Sequence, residues 1–503
     1  MPSRQDEKKA LLLLRELEEP TIGEEPAQRI LHRIRPLWQT ALPLVLERLA
    51  SPERQVRRAA QGVLAELASQ RDIPALRRAI EAPETPDLAK VETFAMLQRL
   101  GEELDREWLF DRLQDPEQAF RTVEQDLLDD LIDDLSTPEA STQTIMEMEA
   151  PARTAVIARL AQSGTPRALR ALLPLLFSRS VDTVRQAITA VQQLGFVEAA
   201  GALDDLARTT SRRALRQEAL AAAAHLRDAG RPGFPELPPV YRALASLVDG
   251  AGAQLLLLCR RVDEQSVGFA TFMWQDDAGL RQVLGTWRMP AADFDNMLTG
   301  MEAQDAPLVG ADVGYLRAAV QVAKELTVRH RKPYPPECAA WELLLGPPGP
   351  EESPARLEAE MPAWQPGEQE RLLEAAPGLL ARAEFINWFF DADELAPHTP
   401  QVRTVLARRP RFERVRTLGA QIADAALPGL ASPELIALLT TRLRRQARLL
   451  QRRDEHQAAR IALAVAATLG PPASIPPERH PFLREMVVRG VAAAAGYDLG
   501  FLG

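Results

Sequence analysis

The strongest constraint on the fold is a period of about 32 residues in the first half of the chain. The segment VRRAAQGVLAEL at 56–67 returns as VRQAITAVQQLG at 184–195. Taking the first residue of these segments as a lead column gives Val56, Leu88, Phe120, Ala152, Val184 and Leu215, separated by 32, 32, 32, 32 and 31 residues. Three positions later stand Ala59, Val91, Val123, Ala155, Ala187 and Glu218, apolar in five of six. That spacing predicts one buried face of a helix at each lead. The position just after the lead reads Arg57, Ala89, Arg121, Arg153, Arg185 and Arg216. Lys and Arg together are 60 of 503 residues, so arginine in five of six fixed places exceeds what composition supplies.

Each period has room for two helices. Ser51-Pro52, Thr85-Pro86 and Asp115-Pro116 mark starts just before three of the leads, since hydroxyl and carboxylate side chains cap orphan amides and proline suits a first turn. Shorter partners are predicted in ALPLVLERLA (41–50), RALRALLPLLF (167–177) and AGALDDLA (200–207). One hairpin cannot bury its own apolar face, whereas a stack of them can. The V-R-x-A-[AI] pattern in VRRAA and VRQAI, with LRQEA as a looser copy, resembles the HEAT-repeat family over about residues 38–228. The period is shorter than that of long HEAT repeats and looks closer to the short HEAT-like repeats of phycobiliprotein lyases and bacterial scaffold proteins. The resemblance implies an α-solenoid of about six helical hairpins.

HEAT repeats commonly carry an acid six residues before the arginine, and here that column reads Ser51, Pro83, Asp115, Glu147, Arg179 and Thr210. Only the pairs Asp115–Arg121 and Glu147–Arg153 keep the pattern. That departure frees some arginines for a partner, and the column Arg57, Arg121, Arg153, Arg185 and Arg216 is the candidate partner-binding stripe for a carboxylate-rich protein or a phosphate backbone. The competing reading gives each arginine to the stacking of its own repeat. EQDLLDDLIDDL at 124–135 has a leucine-rich buried face, and Asp126, Asp129, Asp130, Asp133 and Asp134 read as its solvated side.

Around this array the chain divides further. Residues 1–37 read as a helical lead-in, and AGRPGFPELPP at 229–239 as a linker. Residues 240–345 predict a small α+β module with a three-stranded antiparallel sheet from 253–262, 266–275 and 280–289, followed by two helices. GAGAQL at 250–255 lacks the third glycine of a dinucleotide loop and precedes a strand, so it reads as a turn. A Pro- and Glu-rich break covers 346–370, and 371–503 reads as a helical C-terminal domain with proline-marked boundaries near 397–400, 410 and 471–481. FFDADE at 389–394 predicts a locally capped helix end. Residues 441–469 look like one tetratricopeptide-type hairpin, whose arginines at 442, 444, 445, 448, 452 and 453 predict a solvated basic helix.

The fold class expected is therefore mainly α, with a HEAT-like solenoid, the α+β module and a helical C-terminal domain. A net charge of −10 disfavours a surface built for nucleic acid or anionic membrane. Two cysteines, Cys259 and Cys338, are too few for a disulfide framework or a thiolate zinc site. The histidines at 32, 225, 330, 398, 456 and 480 stand singly, and the P-loop, H-E-x-x-H and G-x-S-x-G motifs are absent. These features argue against an enzyme without excluding one. With no signal peptide and no bilayer-length apolar run, the chain is expected in the cytoplasm, without cofactor or metal. The expected function is a non-catalytic scaffold or adaptor whose partner is another protein. The alternatives are a nucleic-acid-binding HEAT-like protein, a chromophore-lyase-like protein, and a small-molecule sensor or degenerate enzyme built on the central module. A deep polar pocket beside Trp274 or Trp287 would support the last of these.

Overall fold

The computed structural model describes residues 4–19, 22, 24–234, 236–303, 307–347, 354–398, 411–470 and 475–499. Residues 348–353 of the break at 346–370, 399–400 and 410, and 471–474 of the boundary at 471–481 lie outside the described residues. The chain is mainly helical with one small five-stranded antiparallel sheet, and divides into two compact units, Met1–Ser136 and Thr137–Gly503. The division falls inside 38–228, the stretch read as one repeat array.

In the first unit, helices Arg4–Leu17 and Glu24–Ile34 lead into the pairs Trp38–Arg48 with Arg54–Leu67, Ile73–Glu81 with Asp87–Arg99, and Arg106–Phe110 with Pro116–Ile132. All three leads fall near the start of the second helix of a pair. Asp115 caps its helix by accepting the Gln118 amide at 3.0 Å, with Pro116 following. Leu42, Val45, Val63, Leu64, Leu76, Ile80, Phe94 and Leu97 share one buried core.

The second unit opens with three more hairpins: Pro138–Glu147 with Ala150–Gln162, Leu169–Leu175 with Val181–Leu194, and Ala199–Thr209 with Arg213–Ala229. The second helices contact one another in sequence, as do the first helices. One expectation fails here. Ala152 and Ala155 are exposed, and helix Ala150–Gln162 instead buries Val156, Ile157, Leu160 and Ala161. The helix is rotated about its axis relative to the phase that Val184 and Ala187 set.

The sheet corrects the expected three strands to five: β1 Val240–Ser246, β2 Ala253–Arg261, β3 Ser266–Gln275, β4 Gly279–Pro290 and β5 Leu308–Gly310, in the order β4-β3-β2-β1-β5. β1 follows directly on the proline-rich stretch, and the three residues of β5 are too few to show alternation. One face packs Leu257, Cys259 and Val267 against Phe294 of helix Ala291–Ala303. Helices Val313–Arg329 and Cys338–Leu345 also pack on the sheet, whose opposite face carries Leu256, Leu258, Phe272 and Trp274, all buried.

The segment 229–239 lies against the last hairpin. Gly233 and Phe234 donate their amides to the Glu198 carboxylate, and Arg231 bridges Phe196. Beyond the sheet, helices Phe412–Leu430, Pro433–Arg452, His456–Leu469 and Pro481–Ala494 enclose a core around Phe385, Trp388, Leu443 and Phe482. The FFDADE segment forms the expected cap, with the Glu394 amide on Asp391 Oδ1 at 2.8 Å and the Asp391 amide on Glu394 Oε2 at 2.7 Å. Among the described residues, no single helix is long and apolar enough to cross a membrane.

Candidate functional site

Three groups of charged side chains stand out, and each is held by elements the sequence explains. The first is the arginine column. Arg57 is buried, its guanidinium forked onto Asp126 through Nε at 2.7 Å and Nη2 at 2.5 Å, while Nη1 reaches the carbonyls of Ser51 and Pro52 at 2.8 and 2.9 Å. Arg54 bonds Asp130 at 2.5 Å and Arg58 pairs with Asp133. The acidic run is thus not a solvated face: Asp126 is buried, Asp130 and Asp133 are partly so, and all three serve the arginines around VRRAA. Burial pushes the Asp130 carboxyl up against the opposing pull of Arg54 and Arg58.

The other arginines follow a related rule. Arg216 Nη2 donates to the Thr210 carbonyl at 2.9 Å, and Arg153 Nη1 to the Met146 carbonyl at 3.2 Å. In both, as in Arg57, the side chain reaches back to a turn carbonyl five to seven residues before it. The two acid pairs anticipated from HEAT repeats do not form. Asp115 is occupied as a cap and Arg121 pairs with Glu117, while Glu147 accepts from Gln143. Arg185 pairs with Glu218 of the following lead helix at 3.2 Å, half exposed. Of the candidate stripe, Arg121, Arg185 and Arg216 are exposed, Arg153 is intermediate and Arg57 is interior.

The second group is a buried network linking a helical hairpin to the central module. Lys324 Nζ lies 2.5 Å from Asp205 and 2.8 Å from Glu342, and Tyr334 donates to Asp205 at 3.2 Å. Cys338 Sγ lies 3.7 Å from Glu342. Burial and the neighbouring carboxylates drive the Cys338 thiol and Tyr334 hydroxyl far above their usual ranges, and Lys324 is raised by Glu342 and Asp205. These contacts tie helix Ala199–Thr209, through Asp205, to helices Val313–Arg329 and Cys338–Leu345.

The third group was misread from sequence. Helix Pro433–Arg452 is not a solvated basic helix, for Arg442 and Arg445 are both buried. They share one carboxylate, Asp276 of the β3–β4 turn, with Arg442 Nε at 2.6 Å from Oδ2 and Arg445 Nη2 at 2.5 Å from Oδ1. Arg442 also bonds the carbonyls of Gly250 and Ala251 in the β1–β2 turn. That turn is the GAGAQL segment, and Gly252 there has φ +78°, with a Cβ 2.1 Å from Asp276 Oδ2 had it carried one. Only glycine meets both demands. Val248 donates to Gln446 Oε1 at 2.8 Å and accepts from Trp388 Nε1 at 3.1 Å, so the turn is bolted to the C-terminal helices.

Arg445 lies over the Trp274 ring, 4.5 Å from its centroid. Its Nη2 is committed to Asp276, but Nε and Nη1 are buried with no hydrogen-bond partner, as are Trp274 Nε1, Gln254 Oε1 and Arg448 Nε. Gln254 and Trp274 are direct partners in the β2–β3 register, and Gln254 Nε2 donates to Tyr315 at 3.1 Å. Beside Trp274, Asp276 and Arg445 opens a cleft of about 340 Å³, whose other walls are apolar at Val322, Leu326, Leu357, Ala437 and Leu438 and polar at Arg329, Glu358, Glu434 and Thr441. From the sequence, Trp274 is singled out, but Gln254, Asp276 and Tyr315 are not. Among the described residues, no group of three or more His, Cys, Asp or Glu is placed to hold a metal ion.

No family model matches the chain, and neither the curated proteins nor the solved structures include a match to it.

Proposed function

We propose that the chain is a non-catalytic adaptor whose hairpins within 38–228 are short HEAT-like solenoid repeats presenting their outer surface to a protein partner. The observation that carries this reading is the ordered contact of successive helices in the three hairpins of 138–229, first with first and second with second. An array so built offers an extended surface rather than a single pocket. The arginine column supports a structural use for Arg57, and leaves Arg121, Arg185 and Arg216 on the surface. A chromophore-lyase or nucleic-acid role has no comparable support. Affinity capture of the tagged full-length chain at low and high salt tests the proposal. A stoichiometric protein partner supports it, whereas nucleic acid released by salt overturns it in favour of backbone recognition.

A specific observation favours a second reading, in which the central module senses a small molecule. The cleft beside Trp274 has the volume of a small-ligand site, with a lining half apolar and half polar or charged.

A further inference from the structure

We infer that two copies of this chain pair through helix Arg213–Ala229, each laid antiparallel on the other about a two-fold axis at Leu220 and Ala221. This goes beyond the adaptor reading and does not depend on it.

The helix is the last of the hairpin array. Helix Val181–Leu194 packs on both Ala150–Gln162 and Arg213–Ala229, and exposes only a narrow polar strip of Asp182, Arg185, Thr189 and Gln193. Helix Arg213–Ala229 packs on Ala199–Thr209 and Val181–Leu194, with no further hairpin after it. Its exposed part is accordingly wider. Arg213, Gln217, Leu220, Ala221, Ala224 and Asp228 are all exposed, and their helical spacing places them on one face. Leu220, at the middle, is 49% exposed. A leucine at the centre of an exposed face, with charge only at the two ends, follows the apolar-core and polar-rim pattern of an interface.

The end charges select the occupant. Arg213 and Asp228 are of opposite sign and have no side-chain partner among the described residues. Arg213 stands as far before Leu220 as Asp228 stands after Ala221, the two being about 22 Å apart along the helix. The face is therefore complementary to itself. A two-fold axis at the centre sets Arg213 opposite Asp228 of the second copy at both ends, Gln217 opposite Ala224, and Leu220 opposite Ala221. A parallel arrangement would instead oppose like charges at both ends. The small side chains at 221 and 224 let the axes approach to about 8 Å, which brings the end pairs within reach. The nearby charges are engaged elsewhere: Arg227 with Asp204, Glu218 with Arg185, and Arg216 with the Thr210 carbonyl. Arg212 and His225 lie to either side of the strip. Exposed ion pairs of this kind fix register and orientation more than affinity. One helix face is smaller than a standard interface, so the dimer is a reversible one with a dissociation constant of about 10 to 100 μM.

The test is sedimentation velocity of the full-length protein over a concentration series spanning that range, with melting temperatures measured in parallel. The wild type should pass from monomer to dimer. Leu220→Glu, a change at an exposed position, should leave it monomeric with an unchanged melting temperature. Arg213→Asp alone and Asp228→Arg alone each oppose like charges at both ends of the pair, and each should weaken the dimer at least tenfold. An equimolar mixture of these two variants should recover it, because the heterodimer again sets opposite charges together at both ends. A wild type that stays monomeric overturns the inference, and if Leu220→Glu then loses a captured protein, the face belongs to a different partner. A dimer that survives Leu220→Glu uses another surface and overturns it equally. Single variants that weaken the dimer without recovery on mixing overturn the antiparallel two-fold pairing.

Discussion

Arg57 and Arg445 are both buried arginines paired with an aspartate far away in sequence, and they differ in how completely the chain satisfies them. Arg57 spends Nε and both terminal nitrogens on four acceptors, all supplied by its own unit. Arg445 spends one nitrogen on a carboxylate it shares, and its other two have no acceptor. Both pairs remove charge from water, which is favourable only where geometry and extra hydrogen bonds compensate the lost hydration. The first arrangement is closed and needs nothing more to be a stable interior. The second is open, and it is the open one that lies beside a cleft. The contrast separates a buried charge that serves the fold from one that the fold alone does not explain.

The largest effect is expected at the shared carboxylate. Asp276→Asn leaves Arg442 and Arg445 buried without a counter-charge, and should reduce the stability of the second unit by about 4 kcal/mol. Urea unfolding followed by tryptophan fluorescence measures it, since Trp274, Trp287, Trp341 and Trp388 are all in that unit. A loss below about 1 kcal/mol would mean that water reaches both guanidinium groups, and the contrast with Arg57 would collapse.

The next effect is at the closed pair. Arg57→Ala strands the Asp126 carboxylate and should lower the stability of the first unit by about 3 kcal/mol. The double change Arg57→Met with Asp126→Leu replaces the pair by apolar groups of similar size, and should return to within about 1 kcal/mol of the wild type. Failure of that recovery in a denaturation cycle would show that the carbonyls of Ser51 and Pro52 depend on Arg57 as strongly as Asp126 does.

How far these features could be read beforehand follows from the range of the interactions. The hairpins were legible because the period and the capping residues are local signals, as Asp115 capping the Gln118 amide illustrates. The helix phase at Ala152 was not, because which face turns inward is decided by neighbours and not by the repeat. β1 was hidden by the prolines before it. Arginines at 442 and 445 looked solvated because composition treats a basic helix as surface, and nothing local reveals that Asp276 stands opposite, 166 residues away from Arg442. The acidic run was misjudged for the same reason: its partners, Arg54, Arg57 and Arg58, lie 69 to 79 residues away.

The smallest effect is expected in the exposed part of the arginine column, and there a small number is the informative one. Arg185 and Glu218 are linked across successive lead helices, but the pair is about half exposed to water. Their attraction is screened, and ordering two long side chains offsets much of it. Arg185→Ala should therefore cost the second unit about 0.5 kcal/mol or less. Combining it with Arg153→Ala removes one further hydrogen bond to a turn carbonyl, so the double variant should lose about 1 to 2 kcal/mol. If this variant keeps its unfolding midpoint near that range but no longer captures a protein partner, the exposed column is a recognition surface. If it loses as much stability as Arg57→Ala, these arginines belong with the closed pair as fastenings of the hairpins, and the partner surface must be sought on the opposite row of helices.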